Sequence, residues 1–287
     1  MASLVTGSLS DLRRQVDSLA DLVDAGEVAG IHLEGPWLSP HFAGAHAPHL
    51  LREPTPHDIQ GLLEAGRGHL RMVTLAPERP GGLDAVRQLS EAGVVAAIGH
   101  TDADFDTTRR AADAGASMVT HLFNAMRPVH HRAPGPAVAA LNDERLVIEL
   151  IADGHHVDRE VLALAARSAR GGFSLVTDAM AAALAPPGHY RLGELDVEVG
   201  SDGLPRLLGT EQIAGSTLTM ERAVQTMAAV GLPLEATLAA ATSVPAAAFG
   251  LTEVGQLTAG RRADLVLLSD GLEVQSVMRA GEWEPSD

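Results

Sequence analysis

The sequence predicts a parallel α/β fold, and three observations lead to this prediction. Short apolar runs alternate along the chain with amphipathic, alanine-rich segments. The runs are apolar on both faces, which is typical of strands buried between a core and an outer layer of helices. The chain is also 46% hydrophobic over 287 residues, enough to bury the large core that such a fold requires.

Strands and helices are predicted in strict alternation over the first two thirds of the chain. The predicted strands are residues 3–6, 28–33, 70–75, 94–98, 118–120, 146–151 and 173–177. The predicted helices are residues 9–25, 56–65, 83–91, 105–114 and 158–169. Asp104 and Asp158 are positioned to cap the N-termini of two of these helices. The glycines predicted to follow helix ends are Gly26, Gly66, Gly93 and Gly115.

The last third has a different organisation. Residues 186–212 are rich in Gly, Pro and short β-like pieces and are predicted to form an insertion. Two helices are expected at residues 218–230 and 233–242, and the tail is expected to form two or three strands of a small separate sheet. We therefore divide the chain into a main unit, residues 1–243, and part of a small β domain, residues 244–287.

Composition excludes several classes of function. The net charge is −16, without a basic cluster, which argues against nucleic acid and against an anionic membrane surface as partners. The absence of cysteine excludes disulfides, iron–sulfur clusters and thiol nucleophiles. Every basic residue other than histidine is arginine, so lysine Schiff-base chemistry is excluded as well. No signal peptide or membrane-spanning run is predicted, and a cytoplasmic location is expected.

Ionisable residues occur at or just after the ends of five predicted strands. Glu34, His100, His121 and Asp178 each follow one strand, and a group at residues 153–156 follows another. In a TIM-type (β/α)8 barrel, the C-terminal ends of the strands meet on one face, and active sites form there. An open doubly wound sheet would place such residues at one crevice only. The five coincident strand ends therefore favour a barrel with one polar site.

The residue types indicate metal chemistry. Glu34, His100 and His121 supply one carboxylate and two imidazoles, the ligand set of a catalytic zinc with an open position for water. Iron, manganese or cobalt would accept the same ligands, so one divalent ion of open identity is expected, with zinc first. Asp178 suits a general base that takes a proton from that water. Its alternatives are a helix N-cap and a further metal ligand.

Several motifs, in order, resemble those of N-acetylglucosamine-6-phosphate deacetylases of the amidohydrolase superfamily. They are "GIHLEGPWLSPHFAGAH", "GHTDADFDTTRRAADAGASMVTHLFNAMRPVHHRAPG", "IADGHHVD", "LVTDAM" and "AGSTLTM", followed by "ATSVPAAAFGL…GQLTAGRRADLVLL". The resemblance covers nearly the whole chain, from about residue 3 to residue 281. It implies a metal-dependent barrel with a small β-sandwich, which acts on a sugar phosphate as a homodimer.

The resemblance also implies residue roles. It matches Glu34, His100 and His121 to the metal ligands of one site per subunit, and Asp178 to the catalytic aspartate. The residues that it matches to substrate binding are His46, Asn124, Ala125, Arg132 and His156, together with main-chain atoms of residues 214–216.

Among the substrate-binding residues, Asn124 and Ala125 match the pair that holds the sugar phosphate. Arg132 matches an arginine that reaches the phosphate from the neighbouring subunit, where its planar fork suits the anion.

The implied chemistry is attack of activated water on the acetamide carbonyl. Asp178 would take the water's proton and pass it to the departing amine, while His46 or His156 would stabilise the oxyanion beside the metal. His32 shares the strand face of Glu34 and is given a possible supporting role, whereas His155 is left unassigned. The histidines expected to be surface or packing residues are His41, His49, His57, His69, His130 and His189.

The chain departs from the family pattern at its start. Family members begin with part of the sandwich and a first barrel strand, and neither is found before residue 3. We therefore expect an N-terminally truncated barrel that lacks its first strand, with two unpaired edges. A second metal that uses histidines of that strand is not expected. The alternatives are a deacetylase of N-acetylgalactosamine 6-phosphate or another N-acetyl sugar phosphate, and an inactive fragment that only binds metal or a partner subunit.

Overall fold

A seven-stranded parallel sheet organises the chain. The computed structural model describes residues 1–285, and the strands of this sheet lie side by side in chain order. They are β1 (Ala2–Leu4), β2 (Ile31–Glu34), β3 (Leu70–Leu75), β4 (Val95–Ile98), β5 (Met118–Val119), β6 (Val147–Leu150) and β7 (Phe173–Leu175). Each predicted strand is present, although most are shorter than predicted. The strand β2 reaches one residue further than expected, so Glu34 is its last residue.

Helices connect the strands, as predicted. They are α1 (Leu9–Asp24), α2 (Pro56–Gly66), α3 (Gly82–Glu91), α4 (Phe105–Asp113), α5 (Gly135–Leu141) and α6 (Arg159–Ser168). The carboxylates of Asp104 and Asp158 accept hydrogen bonds from main-chain N–H groups of the first turns of α4 and α6, which confirms both predicted caps. The helix α5 was not predicted, because its sequence GPAVAAL begins with two helix breakers and lacks an amphipathic pattern.

One of the predicted helix ends is wrong by a residue. Gly66 is still helical, and the left-handed residue after α2 is Arg67, with φ 49°. A Cβ at Gly66 would lie 3.1 Å from Cβ of Leu70, a tight contact that favours glycine at this position. The other predicted end glycines have φ values in the left-handed region: Gly26 77°, Gly93 74° and Gly115 112°.

The sheet is curled into a partial TIM-type barrel. Residues of β1 and residues that follow β7 line the same interior cavity, so the two edges of the sheet face each other. A short segment around Ser216 adds to the β7 edge, where the main chain of Ser216 exchanges hydrogen bonds with Asp178 and Met180 (2.7 and 3.0 Å). This segment was not among the predicted strands, since a single bridge leaves no apolar run to detect.

The interior of the barrel is layered, with apolar residues at the bottom and polar residues above. Met72, Ala97 and Met118 form a buried cluster on the inner face of three adjacent strands. Above them Thr74 and Thr120 share a hydrogen bond of 2.7 Å between their hydroxyls. The ionisable side chains lie above this layer, at the C-terminal ends of the strands, as the sequence predicted.

Two antiparallel sheets lie outside the barrel. The predicted insertion forms β8 (Gly188–Leu192), β9 (Leu195–Val199) and β10 (Pro205–Leu207), with β9 in the middle. The helices α7 (Met220–Ala229), α8 (Leu234–Ala241) and α9 (Ser243–Ala248) follow, of which α9 was not predicted. The tail forms β11 (Leu265–Leu268), β12 (Val274–Arg279) and β13 (Glu282–Trp283).

Of the segment 244–287, the last two residues lie outside the described part of the chain. Within residues 1–285, no helix has the length and apolar character needed to cross a bilayer.

Candidate active site

A cavity of about 440 Å³ opens at the C-terminal ends of the strands. Eight of the nine site residues expected from the sequence line it, namely Glu34, His46, His100, His121, Asn124, Ala125, His156 and Asp178. They come from segments that are up to 144 positions apart in the sequence, so the fold and not local sequence brings them together. The ninth, Arg132, is exposed on a loop, where its guanidinium contacts Nε2 of His131 at 2.7 Å.

Three of the ionisable site residues have unusual backbone conformations. His100, His121 and Asp178 follow β4, β5 and β7, and their φ values are 47°, 30° and 50°. Residues other than glycine adopt this left-handed region rarely, and such strain is concentrated at functional sites. The conformation turns the chain at each strand end while the side chain stays over the mouth of the barrel.

The carboxylate of Glu34 and two imidazoles form a compact triangle. Oε1 of Glu34 lies 2.9 Å from Nε2 of His121 and 3.1 Å from Nε2 of His100. The two Nε2 atoms are themselves 3.1 Å apart. Ligands bound to one zinc ion at about 2.0–2.1 Å in tetrahedral geometry have a similar separation. The three side chains are almost fully buried.

A second triplet, in which His46 replaces His121, also brings its ligand atoms within 4.8 Å of one another. The hydrogen bonds of the Nδ1 atoms distinguish the two sets. Nδ1 of His100 faces the carbonyl oxygen of Phe42 at 2.9 Å, so it must donate, and Nε2 of the neutral ring is free to bind a metal. Nδ1 of His46 accepts from the main-chain N–H of Thr6 at 3.3 Å, so Nε2 of the neutral ring carries the proton. His46 is therefore a donor facing the site and is unsuited to bind an ion through Nε2.

The cluster requires a positive charge. Burial alone would raise the pKa of Glu34, but hydrogen bonds from His100 and His121, with His46 nearby at 3.6 Å, hold it well below its usual value. Burial lowers the pKa of His100 to about 4. Burial also acts to lower the pKa of His121, but the hydrogen bond to Glu34, followed by the negative charge of Glu34, Asp178 and Glu149, outweighs this and raises it to about 9.

The carboxylates around His121 thus favour a positive charge at this point, which a bound cation would supply. Nδ1 of His121 is buried and has no hydrogen-bond partner within residues 1–285. The donor set and its charge therefore fit a divalent ion.

Asp178 lies beside this cluster and lines the same cavity. Burial, followed by the negative charge of Glu34, raises its pKa to about 6. A carboxylate with a pKa near neutrality can both accept and return a proton, as a general acid–base group must. A second buried acid, Glu149 on β6, has its pKa raised to about 7 by burial but borders the barrel interior and not this cavity.

The loop after β5 presents main-chain groups to the cavity. Phe123 and Ala125 have φ values of 77° and 47°, and the side-chain amide of Asn124 donates to the carbonyl oxygens of His121 and Leu122. Because this amide is engaged within the loop, the side chain of Asn124 helps to shape the turn. The main-chain N–H of Asn124 closes the turn by donating to the carbonyl oxygen of His121 at 3.0 Å, so the N–H of Ala125 is the group of this pair left to face an anion.

The sequence pattern did not reveal the residues that orient the site. Thr6 fixes the ring of His46, with its hydroxyl 2.9 Å from Nδ1 in addition to the main-chain contact. Phe42 fixes His100 through a carbonyl group, which any residue type could supply. Asp153 was noted only as a residue at a strand end, but it bonds to His156 at 2.6 Å. Only the last of these pairs is close enough in sequence for local spacing to have indicated it.

Other histidines have packing or rim positions. His32 is buried within the barrel, between the hydroxyls of Ser3 and Thr74 (3.0 and 2.8 Å), so it supports the strand layer below the site. Burial lowers its pKa to about 4, which keeps it neutral. His41, expected at the surface, is exposed but borders the cavity, where Nδ1 lies 3.2 Å from Asp102.

Comparison with known proteins relates the chain to one family and to sugar phosphate deacetylases within it. A model described as the amidohydrolase family matches residues 5–283. The chain is 37% identical to N-acetylgalactosamine-6-phosphate deacetylase from Escherichia coli O157:H7, over 98% of this chain and 76% of that protein. It is 33% identical to N-acetylglucosamine-6-phosphate deacetylase from Vibrio furnissii, over 98% of this chain and 71% of that protein.

A solved structure is similar over the same extent. It is an aspartate-to-alanine mutant of N-acetyl-D-glucosamine-6-phosphate deacetylase from Mycobacterium smegmatis, in complex with N-acetyl-D-glucosamine-6-phosphate. The match has a TM-score of 0.95 and 52% sequence identity, and it covers 99% of this chain and 75% of that chain. The partial barrel with its small β sheets therefore has the arrangement found in that enzyme.

Proposed function

Because this chain belongs to the amidohydrolase family, we propose that it hydrolyses the acetamide of N-acetylglucosamine 6-phosphate to glucosamine 6-phosphate and acetate. The observation that carries the proposal is the buried triangle of Glu34, His100 and His121 beside Asp178. Two relatives, at 33% and 52% identity, are named as deacetylases of this substrate, which supports the choice.

In this proposal Glu34, His100 and His121 hold one divalent ion, with zinc as the first choice from the ligand set. When bound, such an ion activates water and polarises the amide carbonyl. His46 donates from Nε2 toward the amide oxygen as negative charge develops there, which follows from the hydrogen bond that Thr6 makes to Nδ1. Asp178 accepts the proton of the attacking water and returns it to the departing amine.

The phosphate end of the substrate is assigned to the loop after β5. The main-chain N–H of Ala125 is the donor assigned to the phosphate, since that of Asn124 already donates to the carbonyl oxygen of His121 at 3.0 Å. Arg132 lies outside the cavity of its own subunit and is exposed, which is consistent with a role in a homodimer in which it reaches the phosphate bound to the neighbouring subunit. A phosphate ester does not cross a bilayer unaided, so a cytoplasmic location accompanies this choice of substrate.

N-acetylgalactosamine 6-phosphate is the second candidate substrate, favoured by the 37% identity to the Escherichia coli protein. One experiment tests both candidates: acetate release is measured from each sugar phosphate and from unphosphorylated N-acetylglucosamine, with zinc supplied. The proposal predicts the highest kcat/KM for the phosphorylated gluco sugar. Faster turnover of the galacto sugar would select the second candidate. If neither sugar phosphate released acetate, both candidate substrates would be refuted.

A further inference from the structure

His156 is held from behind by a buried carboxylate. Oδ2 of Asp153 lies 2.6 Å from Nδ1 of His156, and the two side chains are each only 8% exposed. The other oxygen, Oδ1, accepts from the main-chain N–H groups of His155 and His156 at 2.8 and 2.9 Å. Three donors therefore converge on one carboxylate, directly after the strand β6.

The charge of this carboxylate determines which partner donates. Burial acts against ionisation of Asp153, but the hydrogen bonds from His156 and from the main chain hold its pKa below the usual value. An ionised carboxylate only accepts hydrogen bonds, so the proton of the 2.6 Å contact belongs to Nδ1 of His156. The neutral ring then has a bare Nε2.

The bare nitrogen is available to a ligand. His156 lines the same cavity as Asp178, and its Nδ1 edge is already occupied by Asp153. His46, which also lines this cavity, has the opposite tautomer because the main chain of Thr6 donates to its Nδ1. The two histidines thus offer complementary groups, a donor at His46 and an acceptor at His156.

We propose that Asp153 is a positioning residue that fixes the tautomer of His156, so that Nε2 accepts a hydrogen bond from a ring hydroxyl of the substrate. This inference rests on the proposed sugar phosphate substrate and assigns the oxyanion donor to His46 alone. An unprotonated Nε2 can only accept. The donors of an N-acetylhexosamine phosphate are its ring hydroxyls and its amide N–H, and the proposed function assigns the amide to the metal cluster and His46, which leaves the ring hydroxyls for His156. Asp153 acts through His156 and does not contact the substrate.

Asp153→Asn is the informative variant. Its side-chain oxygen can still accept from the main-chain N–H groups of residues 155 and 156, so the turn is retained. Its amide NH2 would donate to Nδ1 of His156 and move the ring proton to Nε2, which would convert the acceptor into a donor. KM should rise about tenfold, the cost of one neutral hydrogen bond, while kcat changes less than about threefold.

Two readouts separate positioning from a structural role. In ¹H–¹⁵N long-range spectra of the zinc-loaded protein, with His156→Gln for assignment, the wild type should show protonated Nδ1 and bare Nε2, and Asp153→Asn should show the reverse. In kinetics, one deoxy analogue of N-acetylglucosamine 6-phosphate should lose about tenfold in kcat/KM with the wild type and almost none with Asp153→Asn. Asp158→Asn is the matched control, since Asp158 is exposed and caps α6 without contact to His156.

The wild-type spectrum alone can overturn the proposal, even if Asp153→Asn fails to fold. A protonated Nε2 on His156, in either the reversed tautomer or the imidazolium, would contradict it. Equal losses for every deoxy analogue in both proteins would contradict it as well. If the wild type releases no acetate, the proposed function fails, while the tautomer of His156 is still read from the spectrum.

Discussion

His46 and His100 lie edge to face, with ring centroids 4.6 Å apart, yet their Nδ1 atoms make opposite hydrogen bonds. The carbonyl of Phe42 accepts from His100, whereas the main-chain N–H of Thr6 donates to His46. Adjacent rings of the same residue type are therefore prepared for different tasks. His100 presents a lone pair to an ion, and His46 presents a proton to the substrate.

The proton on Nε2 of His46 predicts that His121, and not His46, is the third ligand of the metal beside Glu34 and His100. His121→Asn should lower the affinity for zinc by more than the about 10–100-fold that loss of an outer-shell partner costs. His46→Asn should keep the ion, because His46 is not one of its ligands. It should lower kcat by about 10²–10³-fold, the effect of removing one oxyanion donor. Metal content after gel filtration and kcat for both variants test this. Loss of zinc from His46→Asn with retention in His121→Asn would reverse the assignment.

Asp178 should set the acid limb of the pH profile. Its pKa is raised to about 6 by burial, and only the ionised form can accept the proton of water, so kcat/KM should fall as the pH drops through about 6. A bound cation nearby favours the ionised form, so the limb lies at about 6 or lower. Asp178→Asn should reduce kcat by about 10²–10⁴ with metal content unchanged. A kcat/KM that rises toward acid pH would contradict this role.

Gly44 is expected to be irreplaceable for activity. At Gly44, φ is +56°, and an added Cβ would lie 2.8 Å from Cε1 of His100. Gly44→Ala should therefore displace the loop that carries Phe42 and His46, and should lower both kcat/KM and stability. Urea unfolding and acetate release measure the two effects.

Gly68→Ala is the control for this experiment. Gly68 has φ +83°, but nothing lies within 4 Å of an added Cβ. It should cost about 1–2 kcal/mol of stability, the price of a left-handed alanine, and leave activity intact. Equal activities of the two alanine variants would show that the contact with His100 has no functional weight.

Arg132 should act across a subunit interface. Arg132→Ala and Asp178→Asn should each be nearly inactive alone. A mixed dimer contains one site with both residues intact, so co-expression in equal amounts should restore about a quarter of wild-type activity in a two-fold dimer. Activity that stays at the sum of the two single variants would place Arg132 outside the partner's site.

The sequence was sufficient for features that depend on local pattern. Buried apolar runs predicted the strands, and the polar residue at each strand end predicted Glu34, His100, His121 and Asp178 as neighbours, because parallel strands bring these ends together. The resemblance to N-acetylglucosamine-6-phosphate deacetylases of the amidohydrolase superfamily added the expected substrate. The division at residues 243 and 244 stays a prediction.

Long-range orientation could not be predicted in this way. Thr6 and His46 are 40 positions apart, and nothing in the local sequence of either indicates that one fixes the tautomer of the other. The left-handed conformations of His100 and His121 also leave no trace in residue type, since only tertiary packing maintains them. The helix α5 lacked the periodic apolar pattern on which helix prediction depends.

Titration of metal-free protein with zinc, while acetate release from N-acetylglucosamine 6-phosphate is followed, tests the central claim most directly. We expect negligible activity without metal, a linear rise that ends at one equivalent per subunit, and no response in His121→Asn. Full activity in the metal-free protein, or a response of His121→Asn equal to that of the wild type, would contradict it.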